Sequence, residues 1–268
     1  MEDPGVDLEL DRAHSARMYD YYLGGTTNFP ADREAVGRVL AAFPQALIAA
    51  RSNRGFVRRA TRYLAEHGLR QFLDVGTGIP TQPNLHEIAQ SVAPDARIVY
   101  LDNDPIVLAH AQALLVSTPE GRTAYMQADL AEADKILQSA VLHENLDLTR
   151  PVAVSLNAVL HFIPDHQEAH RIVTTFKDAL PLGSALVISH GTADFTSGVE
   201  GGASVYRSVG TSTVLRTHEQ FAAFFDGWDL TEPGVTLSHR WRPDDETIAS
   251  AITDAEASCY VAVARKIT

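Results

Sequence analysis

Two hydrophobic patterns divide this chain. Up to about Gly68 the apolar positions recur at helical spacing. Within Asn53–His67, residues Phe56, Val57, Ala60, Tyr63 and Leu64 fall on one helical face, and Gly68 supplies the stop. From Ala13 onward the pattern is helical as well, interrupted by the turn Gly24-Gly25-Thr26-Thr27-Asn28-Phe29-Pro30. Asp32 is suited to cap a helix over Glu34–Ala42, and Pro44 marks a break before Gln45–Ala50. Residues 1–12 are polar and expected to fray.

Beyond Gly68, short apolar runs alternate with amphipathic stretches. The predicted strands are Gln71–Val75, Arg97–Leu101, Thr123–Gln127, Val152–Asn157, Ala185–Ser189, Leu230–Leu237 and Cys259–Arg265. The predicted helices are Asn84–Val92, Pro105–Leu115, Ala131–Leu142, Gln167–Ala179 and His218–Phe225. Such alternation predicts a doubly wound parallel sheet. Only a Trp- and Pro-rich loop and a short polar segment separate the last two strands, so these are expected to close the sheet as an antiparallel hairpin. The chain therefore divides into an N-terminal helical segment, 1–68, with the character of a lid, and an α/β domain, 69–268.

Composition narrows the function. A chain of 268 residues with 45% hydrophobic content can bury one α/β core with an appendage. No apolar run reaches the roughly 18–20 residues that span a bilayer, and the acidic start MEDPGVDLELDR lacks a signal pattern, so a cytoplasmic protein without a membrane partner is expected. Cys259 is the single cysteine, which rules out an internal disulfide and a cysteine cage, and its apolar neighbours mark it as packing. A net charge of −12 disfavours nucleic acid as a partner. Six arginines between Arg51 and Arg70 are read as a solvated helix face pairing with local acids. The 11 histidines are scattered without metal-ligand spacing, and no metal is expected.

The candidate chemistry lies at strand ends. Phe72-Leu73-Asp74-Val75-Gly76-Thr77-Gly78 is a buried strand running into two glycines, which permit a tight turn and let a ligand touch the backbone. Asp74 is placed to hold the loop or to accept from a cationic ligand group. A dinucleotide site asks for a third glycine, where Thr81 stands after Pro80, so pyrophosphate is disfavoured. Asp102 closes the next strand and can accept both hydroxyls of a ribose, with Asn103 beside it. Asp104, before Pro105, reads as a helix cap. Asp129 ends the third strand, placed to accept from an adenine amino group, with Leu130 offering backbone and apolar contact. His161 and His190 follow the fourth and fifth strands and are candidate general bases.

These residues resemble those of class I S-adenosylmethionine (SAM)-dependent methyltransferases, and more specifically of a bacterial S-adenosyl methyltransferase family without an assigned substrate. The likeness is carried by Ala16-Arg17-Met18-Tyr19-Asp20-Tyr21-Tyr22-Leu23-Gly24-Gly25-Thr26-Thr27-Asn28-Phe29, by Arg51-Ser52-Asn53-Arg54-Gly55-Phe56, by Phe72–Thr81, by Tyr100–Pro105 and by Glu232-Pro233-Gly234. It implies a Rossmann-like α/β fold: a seven-stranded, mostly parallel sheet with an antiparallel terminal strand, plus the N-terminal helices. It implies SAM as cofactor, held by Asp74, Gly76, Thr77, Gly78, Asp102, Asn103, Asp129, Leu130 and Asn157, with Asn157 where the methyl group faces its acceptor. Arg54, Asn28 or a tyrosine of the N-terminal segment would hold the methionine carboxylate. An acidic chain with a lid suits a small-molecule acceptor. A SAM- or nucleoside-binding regulatory protein without turnover stays open at this point, as does the oligomeric state.

Overall fold

The structure is a computed structural model and describes residues 10–107 and 116–267. Most of the predicted helix Pro105–Leu115 and the first nine residues lie outside the described residues; residues 105–107 are helical.

The strands are β1 (Gln71–Val75), β2 (Arg97–Asp102), β3 (Arg122–Gln127), β4 (Ala153–Asn157), β5 (Ala185–Gly191), β6 (Asp229–Leu230), β7 (Thr236–Leu237) and β8 (Cys259–Arg265). They form one sheet in the order β3-β2-β1-β4-β5-β8-β6, with β7 also paired to β8. The first five are mutually parallel, and β8 lies antiparallel to β5 from Gly191 opposite Cys259 to Ala185 opposite Arg265. The chain moves outward from β1 to β3 and then returns to β4 on the other side of β1. That reversal opens a crevice at the carboxyl ends of β1 and β4, the place where such sheets bind ligands.

Among the described residues the sheet has eight strands where seven were expected, because the predicted run Leu230–Leu237 is interrupted. Pro233 has no N–H to give a ladder and Gly234 sits at φ +81°, so the run splits into β6 and β7, both paired with β8. The predicted helix Ala131–Leu142 is also divided: a 3-10 turn, Leu130–Glu132, precedes two short helices, Ala133–Leu137 and Ala140–Asn145. Asp32 does cap, but from inside its helix, accepting from the backbone N–H of Phe29 at 2.8 Å.

Both faces of the sheet are covered, as the unbroken burial of β1 requires. Leu73 and Val75 point into one core with Leu156, Ile172 and Phe176, and Phe72 points into the other with Phe56, Leu64 and Trp241. Each such fully buried side chain contributes on the order of 1.5–3 kcal/mol.

Among the described residues, three helices precede the sheet: α1 (Ser15–Tyr22), α2 (Pro30–Ala42) and α3 (Ala46–Glu66). The carboxyl half of α3 belongs to the sheet's core through Phe56, Val57, Ala60 and Leu64. Its first turns instead join a separate cluster in which Met18, Tyr22, Val36, Val39 and Phe43 meet Val199, Val205 and Tyr206. Those last three stand on a helix the sequence pattern did not reveal, Gly198–Ser208. Gly198, Gly201 and Gly202 weaken its helical signal, yet they allow its close approach to α2. A Cβ on Gly201 would lie 3.0 Å from Ala42 Cβ, and one on Gly202 3.4 Å from Val39 Cγ1. Arginines fasten α3 to neighbouring loops: Arg59 donates to the carbonyls of Ser238 and Trp241, and Arg62 pairs with Asp244. No described helix is long and apolar enough to cross a membrane.

Candidate cofactor and acceptor site

The loop after β1 is shaped by its backbone. The N–H groups of Gly76 and Thr77 both donate to the Leu101 carbonyl, at 2.8 and 3.0 Å, binding the loop to the end of β2. Gly76 and Gly78 have φ of +72° and +67°. A Cβ on Gly76 would lie 2.6 Å from Val159 Cγ2, so both the conformation and the packing ask for glycine there. Thr77 Oγ1 donates to Asp74 Oδ2 at 2.9 Å.

Asp102 completes this arrangement. Its Oδ2 accepts from the Gly78 N–H at 2.8 Å and its Oδ1 from the Asp104 N–H at 3.0 Å. Each carboxylate oxygen retains a further acceptor site. Burial pushes the Asp74 carboxyl up to about 6, with the Thr77 hydrogen bond and Arg54 opposing that shift; burial also raises Asp102. Asp104 caps the following helical turn by accepting from the Ile106 N–H at 2.9 Å. It also receives α1, since His14 Nδ1 and Arg17 Nε lie 3.1 and 3.5 Å from its Oδ2.

One cavity of about 640 Å³ brings together Asp74, Gly76, Thr77, Gly78, Asp102, Asn103, Asp129, Leu130, Asn157 and His161. Asp129 accepts from Ala131 N at 2.9 Å, which starts the turn carrying buried Leu130 into the wall. Asn157 stands at the end of β4 with both amide atoms enclosed and without a hydrogen-bond partner. A buried amide left so is costly, and it marks where a ligand would supply the missing bonds. Arg54 also lines the cavity. Its Nη2 donates to the carbonyls of Thr81 and Pro83, at 2.5 and 2.8 Å, and its enclosed Nε has no partner.

Two expected residues stand elsewhere. Asn28 braces the Gly24–Pro30 turn: its Nδ2 donates to Asp20 Oδ2 at 2.9 Å and to the Gly25 carbonyl at 3.0 Å, and it is not part of the cavity wall. His190 is likewise outside the wall, because alternation along β5 turns it with Ile188 toward the aromatic core containing Phe221 and Phe224. Both its ring nitrogens are engaged, Nδ1 with the Gly191 carbonyl and Nε2 with Arg216, each at 2.7 Å. That leaves no nitrogen for a substrate. His161 does face the cavity, and burial pushes its imidazole down to about 4, with the Arg216 cation adding to the shift. Cys259 is buried at the cavity wall, where desolvation raises its thiol to about 12.

The roof over these strand ends was only partly legible. Tyr19 and Tyr22 come from α1, whose aromatic character suggested it, whereas Ala203 and Tyr206 come from the glycine-masked helix. Tyr206 and Tyr22 join their hydroxyls at 3.3 Å, and Tyr19 donates to the Ala50 carbonyl at 3.1 Å.

A family model described as S-adenosyl methyltransferase matches residues 1–267. The chain belongs to that family. A DUF574 family protein from Streptomyces avermitilis is 48% identical, with 97% of this chain and 100% of that chain covered and a TM-score of 0.94. A candidate methyltransferase from Thermobifida fusca is 35% identical, with both chains fully covered (100% each) and a TM-score of 0.92. An O-methyltransferase family protein from Burkholderia thailandensis shares the fold at 16% identity and a TM-score of 0.52, with 84% of this chain and 60% of that chain covered. No curated protein matches. The chain is thus a SAM-dependent methyltransferase built on a mostly parallel α/β sheet with antiparallel terminal strands. The residues present fit SAM: paired carboxylates at successive strand ends, a glycine loop open to backbone contact, and an enclosed amide lacking partners.

Proposed function

We propose that this enzyme methylates a small molecule enclosed between the strand ends and the roof of α1, α2 and the Gly198–Ser208 helix. The observation that carries this reading is continuity: the cavity that holds Asp74, Asp102 and Asp129 extends without a break to Tyr19, Tyr22, Phe43 and Tyr206.

Each residue has a role its geometry supports. Gly76, Thr77 and Gly78 let the donor lie against backbone, and Asp74 faces its cationic portion. Asp102, with Asn103, accepts from ribose hydroxyls, and Asp129 and Leu130 bound the adenine. Arg54, whose charge acts on Asp74 from the cavity wall, receives the methionine carboxylate. Bound SAM supplies an electrophilic methyl on a sulfonium sulfur. Asn157 and His161 then face the acceptor and orient it, since alignment is most of what this chemistry asks of a protein. Helices α1 and α2, joined through Gly24 at φ +84°, act as a lid that excludes water.

The test is release of S-adenosylhomocysteine (SAH) when SAM-loaded enzyme meets cell extract separated by dialysis. Turnover is expected with the low-molecular-mass fraction. Turnover confined to the macromolecular fraction would contradict a small acceptor.

A further inference from the structure

Behind His161 lies a buried cation that the cofactor site does not use. Arg216 is 2% exposed and donates through all three guanidinium nitrogens: Nη1 to the Leu160 carbonyl at 2.9 Å and to His190 Nε2 at 2.7 Å, Nη2 to the Ile163 carbonyl at 2.9 Å, and Nε to His166 Nδ1 at 3.2 Å. None of these acceptors carries a negative charge. Among the described residues no carboxylate forms an ion pair with it; Asp165, which caps the helix His166–Ala179, acts on it only from a distance. Burying a charge without a counter-charge is costly, so the positive potential it leaves is a feature of this part of the fold.

Arg216 grips both ends of the turn Leu160–Phe162 and thereby fixes His161, whose ring centroid is 5.5 Å from that of His190. Among the described residues, the titratable groups packed around His161 are Arg216, His190 and, beyond them, His166; none is an acid. Only Nδ1 of His161 is enclosed without a partner. A neutral imidazole hides its lone pair there more cheaply than its N–H, which places the proton on Nε2, the nitrogen left to the cavity. His161 is therefore a donor. The Tyr22–Tyr206 hydroxyl pair offers an O–H, and Asn157 offers its amide N–H. Among the described residues, the carboxylates lining the cavity, Asp74, Asp102 and Asp129, stand at the ends of β1, β2 and β3; the roof and the Leu160–Phe162 turn contribute none.

We infer that the acceptor enters already deprotonated, as the flat, delocalised oxygen anion of an acidic phenol or enol, held by His161 and the tyrosine pair with Arg216 as the positioning residue behind them. The inference rests on the methyltransferase reading above and names the acceptor's class. Aromatic and aliphatic walls (Tyr22, Phe43, Phe162, Tyr206, Ala203) suit a flat, weakly hydrated anion better than a strongly hydrated carboxylate. The transfer then needs no base. A lone pair of the acceptor oxygen forms the O–CH3 bond as the methyl–sulfur bond breaks, its electron pair returning to sulfur. Anion and sulfonium give a neutral ether or enol ether and SAH, and no proton moves.

The probe is 4-nitrophenol, whose phenolate absorbs visible light, titrated between pH 5 and 9 with the full chain saturated with SAH. The apparent pKa of the bound probe is expected to fall by about one unit, roughly tenfold more phenolate at a given pH than for free probe. Arg216→Gln should abolish that shift while SAH binding, read by calorimetry, persists. His161→Phe, which removes the donor and keeps an aromatic ring, should diminish the shift and serves alone if the Arg216 variant does not fold. Probe that does not bind the SAH complex, or binds with an unchanged or raised pKa, overturns the inference and leaves the methyltransferase site standing. Absence of SAH binding in the parent chain overturns both.

Discussion

The backbone N–H of Gly78 donates to the Asp102 carboxylate at 2.8 Å, joining the loop after β1 to the end of β2. One hydrogen bond thus couples the two residues proposed to meet the donor, Gly78 at its backbone and Asp102 at the ribose. Asp102→Ala should lose both functions, lowering SAH affinity at least tenfold, whereas Asp102→Asn should lose less, because its amide oxygen still accepts. Calorimetric titration of the two variants checks the order.

Gly76 cannot take a side chain without moving Val159. Gly76→Ala places an L residue at φ +72° and is expected to cost about 1–3 kcal/mol of stability. Since the loop must shift, SAH binding should weaken even where the variant stays folded. Thermal unfolding with and without SAH separates the two effects.

The Asp74 carboxyl, raised to about 6, gives donor binding an acid limb. A cationic donor prefers the carboxylate, so affinity for SAM should hold above pH 7 and fall as pH drops below about 6. Arg54, Asp102 and Thr77 face the same group, and of these only Asp102 also gains a proton toward acid. Asp74→Asn should flatten most of the dependence between pH 5 and 7, measured by titration at fixed ionic strength.

His161 makes folding stability, too, fall toward acid. Its folded value of about 4 lies below the ordinary histidine value near 6.5. Between these values the unfolded chain binds the proton more readily, so stability present above pH 6.5 is lost as pH falls toward 4. The difference between pH 7 and 4.5 is about 2–3 kcal/mol for a fully expressed shift, and His190 adds in the same direction. His161→Phe should shallow that slope in denaturant titrations at several pH values; an unchanged slope would mean that the imidazole is protonated inside the fold.

What the sequence disclosed follows from how local each signal is. Strands β1 to β5, the glycine loop and the successive strand-end acids are legible because short buried runs and fixed turn chemistry are written within a few residues. His190 misled because the candidate rested on nearness to a strand end, while the alternation of β5 sends that side chain into the aromatic core. The Gly198–Ser208 helix was hidden because its glycines serve a tertiary contact with α2 at the expense of local helical signal. Arg216 gave no motif at all: its acceptors come from Leu160, Ile163, His166 and His190, which only the fold assembles.

The most direct test of the site is a paired calorimetric titration of the unmodified chain with SAH and with NAD. Saturable binding of SAH at one site per chain, weakened at least tenfold in Asp102→Ala, with no binding of NAD, is the expected result. Binding of NAD without SAH, or SAH affinity untouched by Asp102→Ala, would contradict the assignment of the cavity at the ends of β1 and β2.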